Sequence, residues 1–174
     1  MDLILWRHAD AGEPLDDTAQ DLQRKLSSKG EKQAVRMADW LNRFLPDSTR
    51  VLVSPALRCQ QTAQALGRKF QTREALGPGG TAGNLLTLAR WPERREPVLI
   101  VGHQPTLGMT AALLMAGAQA TTEVSTEAEI EADMHTHAAP AWSVRKGAVW
   151  WLRHRNRGGV ADVLLVSVRS PDSL

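Results

Sequence analysis

The sequence predicts an α/β fold: a mostly parallel central sheet with helices on both faces, closed by a C-terminal antiparallel hairpin. Three observations carry this. Short strand-like runs with continuous apolar centres recur at residues 3–6, 50–54 and 98–102. Such runs suit strands covered on both faces, as parallel sheets require. Segments of helical periodicity separate them, and that alternation argues for right-handed crossovers. Two later runs, residues 143–153 and 160–169, flank Asn156-Arg157-Gly158-Gly159, which reads as a hairpin turn.

The elements follow in order. Leu3-Ile4-Leu5-Trp6 is the first strand, and residues 10–25 are polar and expected to loop over its end. Ser28-Lys29-Gly30-Glu31 reads as a capping box. Ala34, Met37, Ala38, Leu41 and Leu45 continue at helical spacing until Pro46. The second strand leads into Pro55, suited to the first turn of a helix carried by Leu57, Thr62, Ala63, Leu66 and Phe70. Gly77-Pro78-Gly79-Gly80 is a loop and residues 84–91 a short helix. Val98 opens the third strand after Pro97. Pro105 opens a helix through Ala111, Leu114 and Met115, ending near Gly117.

A single domain over residues 1–174 is expected for this length. Apolar residues at 43% suffice for a core, and charged residues at 23% are ordinary. A net charge of +2 gives no strong field for nucleic acid. The one cysteine, Cys59, excludes an internal disulfide and fits a reducing compartment. The chain opens on a strand pattern with no signal-type segment, and no apolar run approaches ~18 residues. A cytoplasmic location without membrane association is expected.

Residues 118–140 stand apart as an acidic loop insertion holding Glu123, Glu127, Glu129, Glu131 and Asp133. Its composition suits a solvated loop; an acidic flap over the site is the other reading. His135 and His137 are two possible ligands without further partners, so no metal site is assigned and no cofactor is expected.

Arg7 and His8 follow the first strand, Arg58 the second, and His103 the third. The carboxyl ends of strands in an open α/β sheet line the binding crevice. Different strands can therefore deliver these residues to one site, with His8 at an exposed strand end. Imidazole can act as a nucleophile, and guanidinium can grip phosphate oxygens in pairs. Competing phosphate chemistries fail on spacing. Ala65 stands where a Cys-x5-Arg arrangement starting at Cys59 needs arginine. The Gly-rich segment 77–81 lacks the Gly-Lys-Ser/Thr ending of a phosphate-binding loop.

Three segments together resemble the histidine phosphatase superfamily: Leu5-Trp6-Arg7-His8-Ala9, Val53-Ser54-Pro55-Ala56-Leu57-Arg58-Cys59-Gln60-Gln61-Thr62 and Val101-Gly102-His103-Gln104-Pro105. Their wording and the short chain are most similar to its small SixA-type phosphohistidine phosphatase branch. The resemblance runs from Met1 to about Met115 and again over residues 146–151. It implies a metal-independent phosphatase. Arg7 and Arg58 would clamp phosphoryl oxygens, His8 would attack phosphorus, and His103 would donate a hydrogen bond to the transferring group. Ala9 stands where many members carry glycine, a small change that keeps the backbone close. The implied substrate is a phosphorylated histidine on a signalling or phosphotransfer protein domain. The alternative is a small phosphomonoester. The proton donor stays open among Glu74, Asp10 and Glu13; Glu74 is displaced by one position from the branch's Pro-Glu-Leu-like segment.

Two other classes are weighed. Trp150, Trp151, Arg153, His154, Arg155 and Arg157 interleave aromatic and basic residues, as nucleic-acid stacking surfaces do. The plainer reading is a sheet strand with one tryptophan on each face, and the low net charge favours it. A phosphate-sensing protein without turnover is the third class, and the intact His8 argues against it.

Overall fold

The computed structural model describes residues 1–116 and 141–174. The acidic segment 118–140, with His135 and His137, lies outside the described residues. The elements are β1 (Asp2–Arg7), α1 (Thr18–Leu22), α2 (Ser28–Phe44), β2 (Arg50–Val53), α3 (Leu57–Gln64), β3 (Gln71–Thr72), α4 (Ala82–Ala89), β4 (Val98–Gly102), α5 (Thr106–Met115), β5 (Val149–Arg157) and β6 (Val160–Arg169). Short 3-10 turns occupy Glu74–Leu76 and Pro171–Ser173.

The strands form one sheet in the order β3-β2-β4-β1-β5-β6. β1, β4, β2 and β3 run parallel, and β5 and β6 close the far side in antiparallel pairs. Leu3 to Trp6 are fully buried because both faces of β1 are covered. Alternating side chains feed two cores. Leu3, Leu5, Ile100 and Trp150 meet α4 and α5 through Leu85, Leu107 and Leu114. Ile4, Trp6, Leu99 and Trp151 meet α2 and α3 through Met37, Leu41 and Ala63. Helices therefore pack on both faces, as the continuous apolar runs demand.

Four local expectations shift. The polar stretch before α2 contains a helix, α1, capped by Asp17, whose side chain accepts from the Gln20 N–H. The cap of α2 is Ser27 rather than Ser28: its hydroxyl accepts from the Gly30 N–H. Adjacent serines make either register chemically possible, and the chain entering from residue 10 selects the earlier one. Helix α3 starts after Pro55, at Leu57, and stops at Gln64, so Phe70 packs from outside it. Finally, β5 begins at Val149 rather than residue 143. Gly147 sits at φ +75, which ends the extended run, and residues 144–148 fold across the end of β1 instead.

Candidate active site

Strand register assembles the site. Arg7 pairs with Gly102, and Val53 pairs with Val101. The next residues, His8, His103 and Ser54, thus leave three neighbouring strands side by side. The His8 N–H donates to the Gly102 carbonyl (3.1 Å), and the Ser54 N–H to the Val101 carbonyl (3.0 Å). The His8 and His103 ring centroids are 5.3 Å apart, with planes inclined by 56°. Arg58 arrives from the first turn of α3 and is 3% exposed. The four residues singled out in the sequence therefore converge. His8 is not at an exposed end, however: it is 6% exposed, because residues 144–148 cross it and the Gly147 N–H donates to its carbonyl.

The tautomer of His8 follows from one contact. Its Nδ1 lies 2.8 Å from the Ala9 carbonyl, which can only accept. The ring proton is on Nδ1, and the lone pair is on Nε2, the atom an attack needs. The same turn is tied to α3: the Ala9 N–H donates to Thr62 Oγ1 (3.1 Å), which donates to the Arg58 carbonyl (2.6 Å). This links the first and second segments of the resemblance physically.

The arginines are held by their outer edges. Arg7 Nη1 donates to the Val144 carbonyl (2.7 Å). Arg58 Nη1 donates to the Asp21 carbonyl (2.7 Å), and its Nη2 pairs with Asp21 Oδ2 (3.0 Å). Guanidinium carries five N–H donors. The Nε of each arginine is buried without a partner among the described residues. Donors remain on both for an incoming anion.

Burial is the main reason both imidazoles sit far below their usual range, at about 3. The neighbouring positive charges of Arg58 and Arg7 push the same way. Both rings are neutral near pH 7, so the His8 lone pair is available without deprotonation. A phosphoryl dianion entering beside Arg7 and Arg58 would meet two cations and the polar edges of two neutral imidazoles.

The sequence reading missed Asp21, Arg24, Ser54 and Thr62. Asp21 accepts from the Leu15 N–H (3.1 Å), from Arg24 Nε (2.8 Å) and from Arg58. Burial raises its carboxyl, but these contacts outweigh burial and hold it below the usual carboxylate range. Arg24 Nη1 also donates to the Ala11 and Gly12 carbonyls (2.9 and 3.1 Å), fastening the loop over His8. The Asp17-Thr18-Ala19-Gln20 pattern was the available signal for the helix that carries Asp21.

None of the three candidate proton donors hydrogen-bonds to either histidine ring among the described residues. Asp10 accepts from Ser27 Oγ (2.6 Å) and pairs with Lys146 Nζ (2.9 Å), and these contacts hold its carboxyl down at about 2. Gly30 lets the helix pack against this turn: a Cβ there would overlap the Asp10 carbonyl. Glu13 and Glu74 are exposed. Cys59 is buried beside His103, and burial pushes its thiol up to about 12, far from a nucleophilic thiolate. Trp150 and Trp151 are buried on opposite faces of β5, so they offer no stacking surface.

Comparison with known proteins agrees with this geometry. The model of the histidine phosphatase superfamily (branch 1) matches residues 3–77. The phosphohistidine phosphatase SixA of Escherichia coli is 32% identical over 125 residues, covering 67% of this chain and 76% of that protein. An uncharacterized protein of Picosynechococcus is 36% identical over 124 residues, 67% of this chain and 74% of that one. A solved structure from Nakamurella multipartitia, provisionally assigned to SixA, aligns over 98% of this chain and 95% of its own, with TM-score 0.68 and 26% identity. The chain belongs to the histidine phosphatase superfamily, in its SixA-type branch.

Proposed function

We propose that this phosphatase works without a metal and passes the phosphoryl group through His8, and that its substrate is a phosphohistidine on a signalling or phosphotransfer protein. His8 Nε2 attacks phosphorus in line as the bond to the substrate nitrogen breaks. Arg7 and Arg58 hold the phosphoryl oxygens, and His103 donates to one of them. Water then attacks the His8 phosphohistidine, releasing phosphate and restoring the lone pair. The charge to be stabilised lies on the oxygens, so positioned cations carry most of the catalysis.

The observation that carries the substrate class is the state of the carboxylates. Among the described residues, the carboxyls built into the site's walls are Asp10 and Asp21. Both are held ionised, Asp10 by the Ser27 hydroxyl and Lys146, Asp21 by the Leu15 N–H, Arg24 and Arg58. Neither has a proton to give near pH 7. An alkoxide leaving group needs one as the P–O bond breaks. Imidazole protonated on its distal nitrogen departs neutral and needs none. The similarity to the E. coli phosphohistidine phosphatase points the same way.

The expected order of kcat/KM is phosphohistidine, then nitrophenyl phosphate, then alkyl phosphate, unchanged by a chelator. Efficient alkyl phosphate hydrolysis would turn the reading to a small phosphomonoester. In that case, loss of that activity in Glu74→Gln, Asp10→Asn or Glu13→Gln would identify the acid. A need for added divalent metal would overturn the metal-free mechanism. On the same reading residues 1–174 form one domain, with the acidic insertion between α5 and β5, and the protein works in the cytoplasm.

A further inference from the structure

We propose that Ser54 is a positioning residue that fixes the tautomer of His103, so that His103 Nδ1–H faces the phosphoryl group. The inference rests on the site assignment above and concerns one proton within it. Ser54 is fully buried at the end of β2. Its Oγ lies 2.7 Å from His103 Nε2 and accepts from the Ala56 N–H at 3.3 Å.

Two proton arrangements fit that 2.7 Å contact. If Nε2 carries the proton and donates to Ser54, the buried hydroxyl proton must find another acceptor. The neighbouring candidate is Cys59 Sγ, which itself lies 3.5 Å from Nε2 and is a weak acceptor. A poorly satisfied buried donor is costly. If Ser54 instead donates to Nε2, every group has a partner: the Ala56 N–H donates to Oγ, and the hydroxyl donates to the ring. The ring proton then sits on Nδ1, the nitrogen left for the substrate.

The function requires the same choice. A lone pair on Nδ1 would repel phosphoryl oxygens, whereas Nδ1–H donates to them. His103 is held neutral by burial in the free enzyme. It therefore has only one ring proton, and placement of that proton decides whether it aids or opposes transfer. His8 is set by the Ala9 carbonyl with Nε2 bare, and His103 is set by a hydroxyl with Nε2 capped. A carbonyl can only accept, whereas a hydroxyl backed by an N–H donates. The two histidines thus take complementary roles, nucleophile and donor, from the groups behind them.

The decisive measurement is the imidazole nitrogen spectrum of the wild-type protein with labelled histidine, free of ligand near pH 7. His103 should be the Nδ1–H tautomer; finding Nε2–H would overturn the proposal whatever the substrate proves to be. With nitrophenyl phosphate as probe, Ser54→Ala should lower kcat about 10- to 100-fold, the scale at which supporting contacts act, with KM nearly unchanged. Ser54→Thr, which keeps the hydroxyl, should recover most of that loss. In a His103→Ala background, Ser54→Ala should cost nothing further. Additive losses, or no rescue by threonine, would show a merely structural serine. Should Ser54→Ala not fold, the wild-type spectrum and Ser54→Thr decide. Failure of the site assignment is read separately, by the absence of phosphoryl label on His8.

Discussion

Arg7 and Arg58, at the end of the parallel half of the sheet, and Arg153, on the C-terminal hairpin, are used in opposite ways. At the ends of β1, β4 and β2, Arg7 and Arg58 are drawn inward, held at their outer edges, and left with unused donors. On the hairpin, Arg153 turns outward and sets its fork on Asp2, with bonds of 2.6 and 2.7 Å. The hairpin buries its tryptophans instead, and Asp2 also accepts from Trp151 Nε1 at 3.0 Å. A satisfied, half-exposed pair contributes modestly to the fold. A buried cation with donors to spare is costly in isolation, and such groups cluster at sites that bind an anion. The contrast distinguishes arginines that serve chemistry from one that serves architecture.

The sharpest break in that contrast is His8→Ala. It should lower kcat by at least about 10^4-fold, the scale for loss of a nucleophile. Acid-labile phosphoryl label should trap on the wild type and be absent from the variant; retained label would move the nucleophile elsewhere. The arginines come next. Arg7→Ala and Arg58→Ala should each weaken catalysis and vanadate inhibition about 10^2- to 10^3-fold, because each removes donors aimed at developing charge. Arg153→Ala should leave both unchanged. Equal effects from Arg58 and Arg153 would erase the distinction between the two regions.

Acid should destabilise the fold chiefly through the two buried site histidines. His8 and His103 are depressed to about 3 in the folded protein but ordinary when unfolded. Below pH 6.5 the unfolded chain binds more protons. Stability is therefore full above pH 6.5 and falls as pH drops from there toward 3, by up to about 1.4 kcal/mol per pH unit for each histidine. Denaturant midpoints across that range check this, and His8→Ala should flatten the slope. The smallest effect belongs to the hairpin. Asp2→Asn should cost about 1 kcal/mol or less, after allowance for the exposure of Arg153, and lower Tm without changing kcat. A larger loss would mean that the pair organises β5 as well as decorating it.

Much of the fold was legible because its chemistry is local. The apolar runs at β1, β2 and β4 could only be buried strands, and Pro46 could only stop α2. The Asn-Arg-Gly-Gly turn specified a hairpin, and Asn156 Oδ1 indeed accepts from the Gly159 N–H. The two histidines and two arginines were legible from their places after strands taken together with the resemblance of the three segments to the histidine phosphatase superfamily. What escaped was whatever depended on a distant partner. β3 is two residues long and exists only because Leu52 and Val53 lie beside it. Residues 143–148 were read as the start of a strand; Gly147 marks the break, but their course over His8 depends on contacts to β1 that no local pattern encodes.

By itself, then, the sequence determined the fold class, the order of the main strands and helices other than α1 and β3, and the four residues expected to act. It could do so because strand burial, helix periodicity and residue chemistry are properties of short segments. The tertiary structure alone decided that His8 is covered, that Asp10 and Asp21 are locked in ion pairs, and that Ser54 stands behind His103. Those facts concern protons and charge. A proton's position depends on burial and on neighbours up to about 140 residues away in the chain, as Lys146 is from Asp10.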